Sequence, residues 1–149
     1  EIFDKTKKRK VIDELKDKFG IKDLPYLLLK TGKEKIRAYS GNLSREEIQK
    51  LARTVNVELI GLYLAKMGED WIRLSHDATS LLKYQIEKNI IDLNEEQFNG
   101  WIRGNNLDID DERAGIFVIR YKEDFVGSGK LSNKRLANFV PKERRIRTG

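Results

Sequence analysis

Residues Gly115 to Pro141 read GIFVIRYKEDFVGSGKLSNKRLANFVP, in which apolar segments alternate with short polar turns. Segments of about four to eight residues that are rich in β-branched and aromatic residues and bounded by turn residues are typical of strands. We expect strands over Gly115–Tyr121, Phe125–Leu131 and Arg135–Val140, with Ser132-Asn133-Lys134 as the hairpin turn between the last two. This part of the chain therefore predicts a small β-structure.

Before this stretch, the chain predicts helices that begin at capping residues. Asp4 caps a helix to about Lys18, Ser44 with Glu47 and Asn94 with Gln97 form capping boxes, and a helix extending to about Ile86 follows Ser75 or Asp77. Further strands are expected over Tyr26–Leu29, Lys35–Tyr39, Val57–Lys66, Trp71–Leu74 and Leu107–Ile109. The predicted fold class is α+β, with a small N-terminal α/β domain over residues 1–74 and a second domain, packed against it, over residues 75–149.

Positive charge is concentrated at the C-terminal end of the chain. From Lys130 onward, seven basic residues stand against one acidic residue. Their net charge of +6 equals that of the whole chain, so residues 1–129 are neutral as a set. A neutral body with one cationic end is typical of a protein that meets a polyanion, most often nucleic acid. A second basic run, Lys5–Lys10, opposes the dipole of its own helix and leaves two interpretations open, a solvated face or another contact with RNA or a partner.

The composition excludes several classes of function. The chain has no cysteine, so we expect no disulfide, no thiolate metal site and no thiol nucleophile. The lone His76 cannot build a conventional zinc site, and the acidic run Asp108–Glu112 lacks the calcium-loop pattern, so neither metal nor cofactor is expected. No stretch approaches about 18 uninterrupted apolar residues, and we expect a cytoplasmic protein without a membrane partner. A charged fraction of 36% is typical of thermophile proteins.

Two glycines interrupt the predicted strand at Gly127-Ser128-Gly129-Lys130. This segment resembles the end of a phosphate-binding P-loop, but Asp124 and Leu131 stand where that loop needs Gly and Ser or Thr. In an extended strand both glycines share one face with Phe125 and Leu131, and Ser128 and Lys130 lie on the other face. Either the strand bends there to close a small barrel, or a ligand or another backbone lies close against the glycines, and the two interpretations can coexist.

Aromatic side chains near basic residues are candidates for stacking on unpaired bases. Tyr121, at a predicted strand end, is well placed for this. Trp71 lies in an apolar strand and Trp101 on a helix beside Phe98, so both are expected in the core. No nucleophile is paired with a base around His76, and the sequence predicts a protein that is not an enzyme.

Several of these segments together resemble the RNA-binding module at the C-terminus of RNA cytosine-5 methyltransferases of the Fmu/Sun type. The segments are Trp101–Leu107 (WIRGNNL), Gly115–Tyr121, Phe125–Lys130 and Leu136–Arg145 (LANFVPKERR). That module is a relative of the PUA domain, and small archaeal proteins that look like this one carry it alone, behind a short α/β segment. The resemblance is clearest over residues 60–147 and implies a PUA-like mixed β pseudo-barrel for the second domain.

The resemblance implies RNA binding in rRNA or tRNA maturation or in ribosome biogenesis. Methyltransferases of this family use a cysteine and a glycine-rich loop for S-adenosylmethionine, and this chain has neither, so it resembles the binding module without the enzyme. Charge and resemblance together give the candidate RNA-binding residues Lys130, Arg135, Lys142, Arg144, Arg145, Arg147, Gly127, Gly129 and Tyr121.

A protein-interaction factor is the rival interpretation. In that case the basic tail would dock on an acidic partner such as a methyltransferase or a ribosome-assembly protein. A tail that extends away from the body would favour a protein partner, whereas a basic groove beside the Gly127 and Gly129 face would favour RNA.

Overall fold

The computed structural model describes residues 1–41, 43–54 and 61–146. The α-helices are Lys5–Phe19 (α1), Arg45–Thr54 (α2), His76–Leu81 (α3) and Glu95–Ile102 (α4), and a one-turn 3-10 helix spans Lys142–Arg144. The strands are Leu27–Thr31 (β1), Lys35–Tyr39 (β2), Leu62–Met67 (β3), Ile72–Leu74 (β4), Ile90–Asp92 (β5), Leu107–Asp108 (β6), Gly115–Tyr121 (β7), Asp124–Ser132 (β8) and Arg135–Asn138 (β9). The predicted α+β class is confirmed.

The helices begin at the residues that the capping patterns predict. The Asp4 side chain accepts a hydrogen bond from the Lys7 amide at the start of α1, and the Asn94–Gln97 pair forms a complete capping box at the start of α4. The helix α3 begins after Ser75 but ends at Leu81, so its predicted extension to Ile86 is wrong. The reason lies in Gln85, whose side chain bonds the main chain of the loop that follows α1 instead of continuing a helical face.

The N-terminal strands form an antiparallel sheet in the order β1-β2-β3-β4, as predicted. The strand β2 has its predicted limits. The described strand β3 begins at Leu62, and the predicted start at Val57 lies outside the described residues. The helix α1 packs its apolar face, with Val11, Leu15 and Phe19, into the core beneath this sheet. This half of the chain therefore folds as a four-stranded antiparallel sheet with α1 packed against it.

The C-terminal strands form a mixed sheet in the order β5-β7-β8-β9-β6, curled into a half-barrel. The pair β5–β7 is parallel, and the other pairs are antiparallel. The turn between β8 and β9 uses Asn133 and Lys134, both with positive φ (51° and 62°), which suits a two-residue hairpin loop. The predicted mixed β pseudo-barrel is confirmed.

A β-bulge in β8 bends this sheet at Gly127. Val118 pairs with Ser128 and Arg120 pairs with Phe125, so Val126 and Gly127 together oppose a single residue of β7. Gly127 adopts φ +106°, a conformation that residues with a side chain rarely reach. The bend therefore accounts for Gly127, in agreement with the barrel interpretation of the two glycines.

The bulge also changes which residues share a face. Phe125 packs with Val118 in the core that includes α1 and the N-terminal sheet, whereas Leu131 packs with Trp101 in the core under α4. The prediction that Phe125 and Leu131 share one face is therefore wrong, because one inserted residue reverses the alternation of side chains along the strand.

One hydrophobic core extends across the predicted domain boundary at residues 74 and 75. It unites residues of α1 and β1–β4 with Ala78, Leu82, Val118 and Phe125. The second core lies between the opposite face of the C-terminal sheet and α4, around the fully buried Trp101, as predicted for that tryptophan. The division into two domains stays a prediction, and the two parts share apolar packing in this structure.

Candidate RNA interface

A groove with a volume of about 440 Å³ lies where the N-terminal sheet meets the C-terminal sheet. Its lining includes Asp70 to Arg73 around β4, Gly115 to Phe117 on β7, Lys130 on β8, Phe139 after β9, Lys18 and Phe19 at the end of α1, Asn89 and Ala114. The groove lies on the face of β8 to which Lys130 belongs, opposite the face that Gly129 turns toward Trp101.

The described walls of the groove combine positive charge with aromatic surface. Lys18, Arg73 and Lys130 supply three cations, and Asp70 supplies one carboxylate. The Arg73 guanidinium lies 4.3 Å from the ring centroid of Phe139, a cation–π contact that holds the charged group along the wall. Phosphate and flat aromatic bases are the ligand groups that such walls fit.

Trp71 lies on this wall and not in the core, so the core prediction for this residue is wrong. The indole is partly exposed and rests against Gly68, where an added Cβ would come within 2.2 Å of Nε1. The Gly68 amide donates to the Trp71 carbonyl oxygen at 2.9 Å, which closes the turn that carries the ring. Local sequence patterns do not reveal this position, because it depends on the close packing of the ring against Gly68.

The predicted site residues on β8 differ in exposure: Lys130 lies at the surface, whereas Gly127 and Gly129 are buried. Lys130 is exposed, lines the groove and makes no ion pair with any described residue. Gly127 and Gly129 are buried: an added Cβ would meet His76 and Val140 at the first, and Trp101 at 2.8 Å at the second. Side chains of this chain fill the space beside both glycines, so these glycines serve internal packing and do not present an open surface to a ligand.

The basic tail folds back on the body. The Ile146 amide donates to the Ile102 carbonyl oxygen at 2.7 Å, and Arg145 lies across Gly104 while its Nε donates to the Val140 carbonyl oxygen. Lys142 is exposed, and Arg144 forms an ion pair with Asp77 at 2.9 Å. Arg147, another predicted RNA contact, lies outside the described residues.

The remaining predicted contacts also have partners within the chain. Arg135 Nη1 lies 3.3 Å from the Asp108 carboxylate on the neighbouring strand β6. The Tyr121 ring stacks on Phe98 with centroids 4.0 Å apart and planes at 7°, so one face of Tyr121 is already covered. In the N-terminal basic run, Lys8 Nζ donates to the Tyr26 carbonyl oxygen at 2.6 Å and Lys7 pairs with Glu1. The structure thus brings Lys130, but not Arg135 or Tyr121, to the groove.

Two of the segments that carry the resemblance, Trp101–Leu107 and Leu136–Arg145, are joined by one side chain, that of Asn138. Its Nδ2 donates to the carbonyl oxygens of Trp101 (2.7 Å) and Asn105 (3.0 Å), and its Oδ1 accepts from the Val140 amide at 2.8 Å. The Asn138 amide in turn donates to the Asn106 side chain. These bonds fix the path of the chain between β9 and the tail, so Asn138 is a structural residue that sequence reasoning did not single out.

His76 lies at the first position of α3, partly buried beneath Gly127. Its Nδ1 is buried and has no hydrogen-bond partner among the described residues. Burial lowers the pKa of His76, and the nearby Asp77 opposes this change in part. Within residues 1–41, 43–54 and 61–146, no group of three or more His, Asp or Glu side chains is placed to hold a metal ion.

Comparison with known proteins matches residues 88–146 to the family model described as the methyltransferase RsmF PUA domain. The ribosomal RNA small subunit methyltransferase F of Vibrio vulnificus (strain YJ016) is 24% identical over 84 residues, and that of Aliivibrio fischeri (strain ATCC 700601 / ES114) is 30% identical over 84 residues. In both cases the match covers 56% of this chain and 18% of the relative, so the chain spans about a fifth of the length of these relatives.

In the part of the chain that the structure describes, no helix combines the length and apolar character that a membrane span requires. The matched region 88–146 contains β5 to β9, α4 and the described tail, which form the curled mixed sheet and its covering helix. The predicted resemblance is confirmed: this part of the chain is similar to the PUA domain of the methyltransferase RsmF.

Proposed function

We propose that this chain binds structured RNA, either rRNA or tRNA, in RNA modification or ribosome biogenesis, and that it catalyses no reaction itself. The position of Lys130 carries the proposal. It is an exposed cation without an ion pair among the described residues, on a groove that Lys18 and Arg73 also line. The similarity of residues 88–146 to the PUA domain of an RNA methyltransferase supports RNA as the polyanion.

The groove cations would neutralise phosphates along one RNA strand, and Lys142, exposed at the start of the tail, would add a further cation. Each neutralised phosphate releases counterions, which makes binding depend on salt. If Lys18, Arg73, Lys130 and Lys142 contact one phosphate each, log affinity falls with log salt at a slope of roughly −3.

Arg144 and Arg135 would contribute less, because each is already paired with a carboxylate. Both pairs are exposed, and exposed ion pairs stabilise a protein by about 0–1 kcal/mol. A phosphate could therefore replace either carboxylate at little cost. The guanidinium groups also offer the two-point geometry that suits a phosphate.

A tail that docks on an acidic protein receives less support from these contacts. The described part of the tail lies along the end of α4, where the Ile146 amide bonds Ile102, and does not extend away from the body. The absence of cysteine in the chain supports a role without the cysteine chemistry of the resembled methyltransferases.

The test is a salt series of binding to total tRNA and to rRNA fragments with the full chain. The variant Lys130→Ala is expected to reduce the slope by about 0.7–0.9, the contribution of one phosphate contact. Lys50→Ala removes an exposed lysine of α2 that does not line the groove, and it should leave slope and affinity unchanged. Failure of the unaltered chain to bind either RNA at near-physiological salt would refute the proposal.

A further inference from the structure

We infer that the groove holds one unpaired RNA nucleotide, with its base against Trp71 and its phosphate at Lys130. This inference rests on the proposed function and specifies the part of the RNA that the groove would take. It makes the RNA site a composite of both halves of the chain, because Trp71 and Arg73 come from the N-terminal sheet region and Lys130 from the C-terminal sheet.

The size of the groove fits a single nucleotide. Its volume of about 440 Å³ lies within the range of roughly 300–1,000 Å³ that is usual for small-molecule clefts. A base in a duplex is stacked between its neighbours and cannot enter such a space. Proteins that recognise individual bases in RNA accordingly take them from loops, bulges and ends, where the bases are unstacked.

Trp71 provides the stacking surface. The ring is partly exposed on the wall of the groove, so part of its surface is open to a ligand. The absent side chain of Gly68 leaves room for the ring, since a Cβ there would lie within 3.0 Å of three indole atoms. The indole N–H makes no hydrogen bond to a described residue, and Nε1 lies on the side of the ring that faces Gly68. The groove thus contains an aromatic ring that packs against Gly68 and is only partly covered by the rest of the chain.

The polar groups of the groove are distributed as a nucleotide requires. Lys130 and Arg73 supply positive charge for the phosphate, and the Arg73 guanidinium is held by its contact with Phe139. Asp70 adjoins Trp71 and is an acceptor of hydrogen bonds, which fits the amino group of a base and repels a phosphate. A nucleotide with its base at Trp71 and its phosphate at Lys130 would place the base beside the Asp70 carboxylate and the phosphate beside a cation.

Trp71 precedes the residues that match the PUA domain model. The match to the PUA domain begins at residue 88, whereas Asp70, Trp71 and Arg73 precede it. The stacking wall therefore lies outside the residues that match the PUA domain model, where the N-terminal part meets the PUA-like sheet.

Tryptophan fluorescence gives a direct test, because the full chain contains only Trp71 and the fully buried Trp101. The probes are a single-stranded RNA of ten nucleotides with mixed sequence and a blunt duplex of the same sequence. The single strand should quench the emission of the unaltered chain, and the duplex should not. The variant Trp71→Phe reports the background from Trp101 and should show no quenching.

Affinity for the single strand distinguishes stacking from charge. Trp71→Ala should weaken binding roughly 5- to 150-fold, the loss expected for one stacked base, and leave the salt slope unchanged. Gly68→Ala, which displaces the ring, should weaken binding in the same direction. Trp71→Phe keeps an aromatic face and should retain most of the affinity, and far-UV circular dichroism and melting temperature monitor the fold of each variant.

The outcomes separate the inference from the proposed function. Quenching with weakened binding of Trp71→Ala supports the composite site. If the single strand binds with the expected salt slope but neither quenches Trp71 nor depends on it, the stacking site is refuted while RNA binding stands. If the unaltered chain binds neither the single strand nor tRNA nor rRNA fragments, both are refuted.

Discussion

The side-chain hydroxyl of Ser128 donates a hydrogen bond of 2.8 Å to the main-chain oxygen of Leu74, and so ties β8 to the end of β4. Ser128 is only 3% exposed, and the bond joins residues on opposite sides of the predicted domain boundary. Both halves also contribute to the same apolar core. The two parts are therefore coupled in stability.

We expect Ser128→Ala to lower the free energy of unfolding of the whole chain by about 1–3 kcal/mol, because a buried acceptor loses its partner. Urea denaturation followed by circular dichroism measures this change. Ser132→Ala, at an exposed position of the same strand, should have little effect. Two separate unfolding transitions, with only one shifted by Ser128→Ala, would contradict the coupling.

Gly129 and Gly100 should respond to alanine in opposite ways. A Cβ at Gly129 would lie 2.7 Å from the Ala137 carbonyl oxygen and 2.8 Å from Trp101, so Gly129→Ala is expected to destabilise the chain by about 1–3 kcal/mol through overpacking. At Gly100, in α4, the nearest atom would lie 3.5 Å away, and alanine should stabilise the helix by about 0.5–1 kcal/mol. Melting temperatures of the two variants provide the comparison, and equal shifts would contradict the packing around Gly129.

Asn138 should be more important for stability than its partly exposed position suggests. Its side chain makes three hydrogen bonds to main-chain groups, so Asn138→Ala is expected to cost about 1–3 kcal/mol. The matched control is Asn99→Ala, at an exposed position of α4. Thermal unfolding of both variants tests this, and an unchanged melting temperature for Asn138→Ala would show that the tail does not depend on these bonds.

Acidification should destabilise the chain through His76. Burial lowers the pKa of His76 in the folded state, so the unfolded chain, with an ordinary pKa of about 6.5, binds the proton more readily. The free energy of unfolding is then unaffected well above that value and falls as the pH drops below it. Because the chain has one histidine, His76→Gln should remove this part of the pH dependence. Urea denaturation between pH 7.5 and pH 5.5 measures it, and parallel curves for the two proteins would contradict the assignment.

The elements that sequence predicts well are those with local signals. The cap at Asp4 and the capping box at Asn94 and Gln97 involve residues three positions apart, so their geometry is contained in the sequence pattern. The strand β5, at Ile90–Asp92, was not predicted. It has three residues and is stabilised by parallel pairing with β7, a partner that no local pattern reveals.

The candidate site was only partly predictable for the same reason. Lys130 could be found from its charge and its strand, but the pairing of Arg144 with Asp77 joins residues 67 positions apart. Trp71 was assigned to the core because its neighbours are apolar. Its exposure follows from the turn over Gly68 and from the meeting of two sheets, neither of which is encoded within a short window.

The bulge at Gly127 adds one residue to β8 and so shifts the alternation of its side chains. Before it, Phe125 belongs to the core around α1, and after it Leu131 belongs to the core around Trp101. Deletion of Val126 would leave every remaining residue chemically unchanged, yet it would turn either Phe125 or the whole Ser128–Ser132 segment to the wrong side. Substitutions in this strand should therefore be tolerated better than a change in its length, since the insertion or deletion of one residue exchanges inside for outside.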